Sequence, residues 1–189
     1  MKFILATKNK HKAQEIAKIL GVEILSLLDV DNPPKIIENK KTFEGNALKK
    51  AQVVIKKYNL PAMGDDSGLM VDYLKGAPGI KSARYAGPNP TKEKLCKKLL
   101  KNMQGAKKRS AKFVCCVAIA WPDGKTKIIK GEVRGRIINE MRGQHGFGYD
   151  PVFVPLGYSK TFAEMKPSFK NKISHRAKAF RKVKQLILC

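Results

Sequence analysis

A strong turn signal, Pro122-Asp123-Gly124, separates two long segments that both have strand character. The first segment covers residues 112–121, and the second covers residues 127–138. Segments joined by so short a turn are expected to pair as neighbouring antiparallel strands. Any fold of this chain must therefore accommodate a long β-hairpin.

Short strands and helices alternate in the first half of the chain. Residues 2–6 are typical of a buried strand, and the helix after them has apolar residues three and four positions apart until Gly21 ends it. Elsewhere the sequence predicts strands at 22–28 and 61–64, helices at 42–58, 90–103 and 173–188, and a glycine-rich turn into a third extended segment at 146–155. The pattern predicts an α/β fold with mixed strand directions, in which residues 1–189 form one domain of two lobes around a cleft.

Basic residues dominate the composition. The 189 residues include 39 Lys and Arg against 15 Asp and Glu, which gives a net charge of +24. So large an excess points to polyanionic partners: nucleic acid, an acidic membrane surface or a small phosphorylated substrate. Because most of these residues are lysine, a solvated surface explains the charge equally well.

Several protein classes are not expected. The longest apolar run, at residues 113–121, has nine residues, whereas a membrane-spanning helix needs about 20. The N-terminal residues lack an apolar segment long enough for a secretory signal, so we expect a cytoplasmic protein. The four cysteines show neither metal-binding nor disulfide spacing, and the adjacent Cys115 and Cys116 are typical of a strand core.

Lysine and arginine are absent from two stretches of 17 residues each, at 58–74 and 143–159. The first stretch contains Asp65, Asp66 and Asp72, and the second contains His145 and Asp150. Burial alone would explain both gaps. They are nevertheless the two places where acidic or aromatic side chains could face a site without a neighbouring lysine.

Thr7, Asn9 and Lys12 lie where a predicted strand leads into a helix. The free N–H groups at a helix N-terminus attract anions, and a lysine adds charge, so this junction is a candidate phosphate site. The alternative is that Thr7 and Asn9 only cap the helix.

Two further groups of residues are candidates for chemistry. Asp65 and Asp66 are predicted to follow a strand, where a carboxylate could bind Mg²⁺ or orient a water; an Asx turn closed by Ser67 and Gly68 is the alternative. Lys170, His175 and Arg176 are predicted at the start of the last helix, where they suit phosphate oxygens or a purine carbonyl. A solvated helix start, or metal binding by His175, are the alternatives.

Six blocks of sequence, in chain order, span nearly the whole chain: Ala6-Thr7-Lys8-Asn9-Lys10-His11-Lys12, Thr42-Phe43-Glu44-Gly45-Asn46-Ala47-Leu48-Lys49-Lys50-Ala51, Asp65-Asp66-Ser67-Gly68-Leu69, Gly79-x-x-Ser82-Ala83-Arg84-Tyr85-Ala86-Gly87, Gly146-Phe147-Gly148-Tyr149-Asp150-Pro151 and Ser174-His175-Arg176. Together, these blocks closely resemble the inosine triphosphate pyrophosphatase family.

The resemblance implies an elongated, mixed-sheet, two-lobed α/β fold with a central substrate cleft, and a homodimer. It also implies Mg²⁺-dependent hydrolysis of the non-standard purine nucleotides ITP, dITP and XTP to the monophosphate and pyrophosphate. Asp66 would be the catalytic carboxylate and a metal ligand. The other implied substrate contacts are Thr7, Lys8, Asn9, Lys10, His11, Lys12, Ser67, Phe147, Gly148, Tyr149, Asp150, Lys170, His175 and Arg176.

The chain departs from the family pattern at the second metal contact. Many members carry an acidic pair before the block that begins here at Thr42, and in this chain only Glu38 remains. Either Glu38 takes the metal role, or Asp66 and Asp65 suffice. Two other functions stay open: a basic nucleic-acid-binding protein, which the resemblance makes unexpected, and a related pyrophosphatase for modified pyrimidine nucleotides.

Overall fold

A computed structural model describes residues 3–22 and 24–187. Residues 2, 23 and 188, which belong to the first and second predicted strands and the last predicted helix, lie outside the described residues. Within the described part, the strands are β1 (Ile4–Leu5), β2 (Leu25–Ser26), β3 (Ala62–Val71), β4 (Ser110–Ala120), β5 (Thr126–Ile137) and β6 (Phe153–Pro155). The helices are α1 (Lys10–Leu20), α2 (Phe43–Tyr58), α3 (Lys92–Asn102), α4 (Pro167–Ile173) and α5 (His175–Ile187).

The strands form one sheet in the order β2-β1-β3-β4-β5-β6. β1 lies parallel to both of its neighbours, with Ile4 opposite Leu25 on one side and Ala62 on the other. β6 runs antiparallel to β5, with Val154 opposite Arg136. The sheet therefore mixes strand directions, as the sequence predicts, and the α/β fold class is confirmed.

The predicted hairpin is formed by β4 and β5. At the turn, the Trp121 N–H donates to the Lys125 carbonyl and the Gly124 N–H donates to the Trp121 carbonyl, both at 3.0 Å. At the other end, the Ile137 N–H donates to the Arg109 carbonyl at 2.9 Å. This register keeps the two strands antiparallel along their length.

Short polar side chains begin the first two helices. Asn9 caps α1 by accepting from the Lys12 N–H at 3.1 Å, and Thr42 caps α2 by accepting from the Gly45 N–H at 3.0 Å. Gly21 ends α1 with φ +66°, a left-handed conformation that glycine adopts without steric cost. Both helices thus lie where the apolar spacing predicts them.

The sequence prediction that the strand ends at Gly64 is wrong, because β3 continues through residues 65–68 without a break. The strand covers ten residues, of which eight are buried. A strand covered on both faces lacks the alternation of polar and apolar residues that a sequence reader looks for. Asp65 and Asp66 therefore belong to a strand interior, and the Asx-turn alternative is excluded.

The last predicted helix is also corrected. Ser174 adopts an extended backbone with ψ 160°, and it separates the short helix α4 from α5. Pro167 favours the start of α4, since its fixed φ suits the first turn of a helix. Lys170 therefore lies in α4, whereas His175 and Arg176 begin α5.

The chain divides into two compact units. Unit 1 comprises residues 1–66, 115–131 and 176–189, and unit 2 comprises residues 67–114 and 132–175. Each unit has its own apolar core: Leu5, Ile16, Val117 and Phe180 are among the core residues of unit 1, and Leu69, Leu99, Phe113, Phe153 and Phe162 are among those of unit 2. None of the helices in the described part is long and apolar enough to cross a membrane.

Candidate active site

The residues before α1 shape its N-terminus. The Thr7 side chain accepts a hydrogen bond from the Asn9 N–H at 3.2 Å, and Asn9 in turn caps the helix. Asn9 therefore acts as the helix cap that the alternative described, and Thr7 supports Asn9 from the residues before the helix. Capping leaves the positive charge of this segment exposed, on the side chains of Lys8 and Lys10.

Asp65 is fully buried in unit 1 and forms an ion pair with Lys12, whose Nζ lies 2.8 Å from Oδ2. Burial by itself would raise the pKa of Asp65. The positive charges of Lys12, Lys50 and Arg176 outweigh that effect and hold the pKa well below its ordinary value. Asp65 is therefore an ionised carboxylate that anchors the first turn of α1 to β3.

Asp66 is the next residue along β3 and lies in a different environment. Its Oδ2 accepts from Asn46 Nδ2 at 3.0 Å, and its Oδ1 lies 3.9 Å from Lys50 Nζ. Burial raises the pKa of Asp66 above its ordinary value, although the charges of Lys50 and Lys12 act in the opposite direction. The surroundings therefore shift the pKa values of the two neighbouring aspartates in opposite directions, which is expected of residues with separate roles.

Lys50 connects the acidic residues of this site. It lies in α2 and is 7% exposed; its Nζ donates to the Asp65 carbonyl at 2.8 Å and forms an ion pair with Glu38. Burial acts to lower the pKa of Lys50, but the carboxylates of Asp65, Glu38 and Asp66 outweigh it and raise that pKa. Lys50 thus stays charged. Its ammonium group lies beside the buried carboxylate of Asp66, the half-buried carboxylate of Glu38 and the carbonyl of Asp65.

The sequence interpretation did not identify Asn46 or Lys50 as site residues. Both are buried, four positions apart on α2, in line with the apolar Ala47, Ala51 and Val54. A buried polar residue on the apolar face of a helix needs a partner, and that is a signal which the sequence does contain. The partners that these two residues find on β3 cannot be named from the sequence, because the packing of α2 against that strand is not local in sequence.

Gly64 allows α2 to approach β3 so closely. A Cβ atom at this position would lie 2.0 Å from the Ala47 carbonyl oxygen and 2.9 Å from the Ala51 nitrogen. Both of these atoms are backbone, so the helix could not yield by a change of rotamer. The missing side chain therefore allows Asn46 and Lys50 to reach Asp66.

Arg176 lies in unit 1 and is only 1% exposed. It forms an ion pair with Glu15 of α1. Burial works against its charge, but Glu15 and Asp65 outweigh burial and raise the pKa of Arg176. Its predicted contact with substrate stays a prediction; what the geometry provides is a charged link from α5 to α1.

In unit 2, Asp150 closes the glycine-rich turn. Its Oδ2 accepts from the Phe147 N–H at 2.9 Å and from Lys170 Nζ at 2.7 Å. The same ammonium group lies 4.9 Å from the centre of the Phe147 ring, which is within cation–π range. Gly146, with φ +72°, leaves the space that Asp150 fills, since a Cβ there would lie 2.0 Å from Oδ2.

Tyr149 anchors the same turn from the other side. Its buried hydroxyl donates to the Ser82 carbonyl at 2.9 Å. The Ser82 hydroxyl donates to the Gly79 carbonyl and accepts from the Leu69 N–H in β3. The fourth sequence block, to which no role was assigned from the sequence, therefore supports the turn at residues 147–150.

His175 is 4% exposed, and its ring stacks on Phe113 with 4.8 Å between the centroids. No group of three or more His, Cys, Asp or Glu suited to a metal occurs among the described residues. His175 therefore gains no support as a metal ligand. Ser67, also predicted to contact substrate, follows Asp66 in β3 and is half-buried.

The strongest candidate for a metal site is the pair of carboxylates at Asp66 and Glu38. Both lie within ion-pair distance of Lys50. Mg²⁺ is usually held by one or two protein carboxylates, with substrate phosphates and waters as its other ligands. The carboxylates of Asp66 and Glu38 fit that description. At Asp66 the nearby positive charges do not offset the effect of burial on its pKa.

Comparison with known proteins gives consistent matches over nearly the whole chain. The sequence model of the Ham1 family matches residues 3–186. A Bacillus licheniformis protein named dITP/XTP pyrophosphatase is 47% identical, with 97% of this chain and 96% of that protein covered. A Bacillus subtilis protein of the same name is 42% identical, with the same coverage of both.

Solved structures agree with the sequence comparison. A HAM1 protein from Coxiella burnetii has a TM-score of 0.91 at 35% identity, covering 100% of this chain and 98% of that one. The Staphylococcus aureus Ham1 protein has a TM-score of 0.90 at the same identity and coverage. The family resemblance predicted from the six sequence blocks is confirmed, and the chain belongs to the Ham1 family.

Proposed function

We propose that this protein hydrolyses the non-standard purine nucleotides ITP, dITP and XTP to the monophosphate and pyrophosphate. The observation that carries the proposal is the arrangement around Lys50, where a buried ammonium group lies beside Asp66 and Glu38. Relatives that share almost the whole chain are named dITP/XTP pyrophosphatase, which supports the substrate class. We extend that class to ITP because ITP combines the hypoxanthine base of dITP with the ribose of XTP.

A divalent cation fits this chemistry, and we propose Mg²⁺, held by Asp66 and Glu38. When bound, it would polarise phosphate oxygens and favour deprotonation of a water. Both Glu38 and Asp65 pair with a lysine, but we prefer Glu38 as the second ligand because its side chain is half-buried, whereas that of Asp65 is fully buried.

The cations of unit 1 bind the triphosphate in this proposal. Lys8 and Lys10 are exposed beside the N-terminus of α1, whose N–H groups favour anions. Lys12 and Lys50 are fixed by their ion pairs, so they meet the developing charge without reorganising. Water then attacks the α-phosphorus, the bond from phosphorus to the bridging oxygen breaks, and pyrophosphate leaves.

The purine is recognised in unit 2 by the turn that Asp150 closes. A 6-oxo group accepts hydrogen bonds, so N–H donors of the turn and of Lys170 would bind hypoxanthine and xanthine. The 6-amino group of adenine is itself a donor and would leave those groups unpaired. We assign stacking on the base to Phe147, whose ring centre lies 4.9 Å from Lys170 Nζ.

A substrate panel tests the proposed function. Turnover of ITP, dITP, XTP, GTP, dUTP and ATP is measured with Mg²⁺, and the products are separated by anion exchange. We expect monophosphate and pyrophosphate from the first three. A preference for dUTP would favour the pyrimidine alternative. Release of diphosphate and free phosphate would contradict attack at the α-phosphorus. Salt-sensitive binding of DNA or RNA without turnover would favour the nucleic-acid alternative.

Substitution of the central carboxylate tests the site assignment. We expect Asp66→Asn to lower kcat for ITP by about 100-fold or more, because the amide neither binds a cation as strongly nor accepts a proton. Asp123→Asn is the matched control, since Asp123 lies in the hairpin turn and pairs with Lys125. Near-normal turnover by Asp66→Asn would contradict the assignment.

We also propose that the protein is a homodimer, as its resemblance to the inosine triphosphate pyrophosphatase family implies, and that it is cytoplasmic, as the sequence of its N-terminal residues predicts. Light scattering on the purified protein tests the dimer directly. A monomer at micromolar concentration would contradict it.

A further inference from the structure

An open pocket of about 760 Å³ lies in unit 2, where α3 ends. Its lining includes three basic residues, Lys97, Lys101 and Arg109, and no acidic residue. Leu100 and Met103 contribute apolar surface, and Asn139 adds a polar group. None of these residues belongs to the candidate active site. The volume is within the range of about 300–1,000 Å³ typical of pockets for small molecules.

Arg109 is the most buried of the three basic residues in the pocket. Its guanidinium is half-buried and donates to the carbonyls of Ile137, Met103 and Ile138 at 2.7, 3.2 and 3.2 Å. These bonds fix the orientation of the side chain and use three of its five N–H groups, so two remain for a ligand. Its hydrogen-bond partners in the described part of the chain are dipoles, and it forms no ion pair there. Burial accordingly lowers the pKa of Arg109.

Lys97 and Lys101 add two charges on one face of α3, a single turn apart. Both are exposed, and neither pairs with a carboxylate in the described part of the chain. Glu93 is the only acidic residue in α3. The negative end of the helix dipole is also nearby, but it amounts to about half a charge against three full positive charges.

We propose that this pocket binds a phosphate-bearing ligand of nucleotide size. The two remaining N–H groups of Arg109 would hold phosphate oxygens, the two lysines would neutralise the remaining charge, and the apolar surface of Leu100 and Met103 would contact the rest of the ligand. A half-buried cation without a counter-ion is costly, and a bound phosphate would remove that cost. The three positive charges of this pocket, which the proposed catalytic reaction does not use, thus have a function in ligand binding.

Chemical-shift mapping locates the binding. The full-length ¹⁵N-labelled protein is titrated with inorganic pyrophosphate and, separately, with IMP, in EDTA, which removes the divalent cations that would assist binding at the candidate active site. We expect saturable shifts of the Met103 and Asn139 amides. Shifts with both probes would support a nucleotide site, whereas shifts with pyrophosphate but not with IMP would overturn the nucleotide size of the proposed ligand. Unchanged signals with both probes would overturn the proposal, and so would tighter binding of a single-stranded oligonucleotide at the same amides.

Paired charge reversals distinguish a built site from general surface charge. The double variant Lys97→Glu with Lys101→Glu should weaken pyrophosphate binding at Asn139 by roughly tenfold or more. The control is Lys94→Glu with Lys108→Glu, which makes the same change in net charge outside the pocket lining and should cost less than about threefold. Equal losses in both variants would overturn the proposal. Both should keep their kcat for ITP, so failure here is separate from failure of the proposed function.

Discussion

Asp65 and Asp66 show how two adjacent carboxylates acquire different properties. Neighbouring side chains of a strand point to opposite faces, so Asp65 meets Lys12 of α1 while Asp66 meets Asn46 of α2. The positive charges around Asp65 outweigh burial, whereas burial outweighs those around Asp66. Folding therefore favours the charged form of Asp65 and disfavours that of Asp66.

This contrast predicts opposite effects of the same substitution. Asp65→Asn should lower the free energy of unfolding by about 3 kcal/mol, because it leaves Lys12 without its buried counter-ion. Asp66→Asn should leave stability unchanged or slightly higher while abolishing turnover, since its charged form opposes folding. Urea unfolding at pH 7.5 measures both. Equal losses of stability in the two variants would contradict the separation of roles.

The sequence predicts the site residues unequally well. The lysine-free stretches drew attention to Asp66 and Asp150, which the structure buries within unit 1 and unit 2 respectively. Lys50 was missed because the apolar spacing of α2 explains that helix without it. The partners of a buried lysine depend on which strand packs against its helix, and that information is not local in sequence.

At the level of elements, the contact between α2 and β3 depends on Gly64. Gly64→Ala should destabilise the protein by about 2 kcal/mol or more, because the new methyl group would overlap helix backbone. The same shift of α2 would move Asn46 and Lys50 away from Asp66, so kcat should fall as well. Thermal unfolding and ITP turnover provide the two measurements. A variant with normal stability would show that the helix tolerates the extra volume.

The turn at residues 147–150 is held in place by the hydroxyl group of Tyr149. Tyr149→Phe should cost about 1–2 kcal/mol, because it leaves the buried Ser82 carbonyl without its donor. If the turn at residues 147–150 recognises the base, KM for ITP should rise several-fold while kcat changes little. Tyr158→Phe is the control, since Tyr158 is 38% exposed and lies edge-on to Phe169. Equal KM values in the two variants would contradict the assignment.

Most elements could be predicted because their signals are local. Asn9 and Thr42 mark helix starts, and Pro122-Asp123-Gly124 marks the hairpin. The two errors, at β3 and at the start of α5, occur where local signals conflict with tertiary burial. Asp65 is polar, but its ion pair with Lys12 makes it acceptable in a buried strand. The break at Ser174 depends on a backbone conformation that apolar spacing does not report.

At the level of the whole molecule, the chain forms two compact units, each built from separate chain segments. Neither unit is a continuous fragment, so a single domain stays our prediction. Both units are strongly basic, and the proposed reaction uses only a few of the cations. The remainder still acts on a charged substrate, because the field of a net charge of +24 extends over the Debye length.

That field predicts a dependence on salt. Between 10 and 150 mM ionic strength the Debye length falls from about 30 to about 8 Å, so kcat/KM for ITP should fall several-fold while kcat changes less than about twofold. Lys94→Glu with Lys108→Glu should make the slope shallower, because it lowers the net charge from +24 to +20. Lys94→Arg with Lys108→Arg keeps the charge and should keep the slope. A kcat/KM independent of salt, or equal slopes in the two variants, would show that the surplus charge has no part in substrate capture.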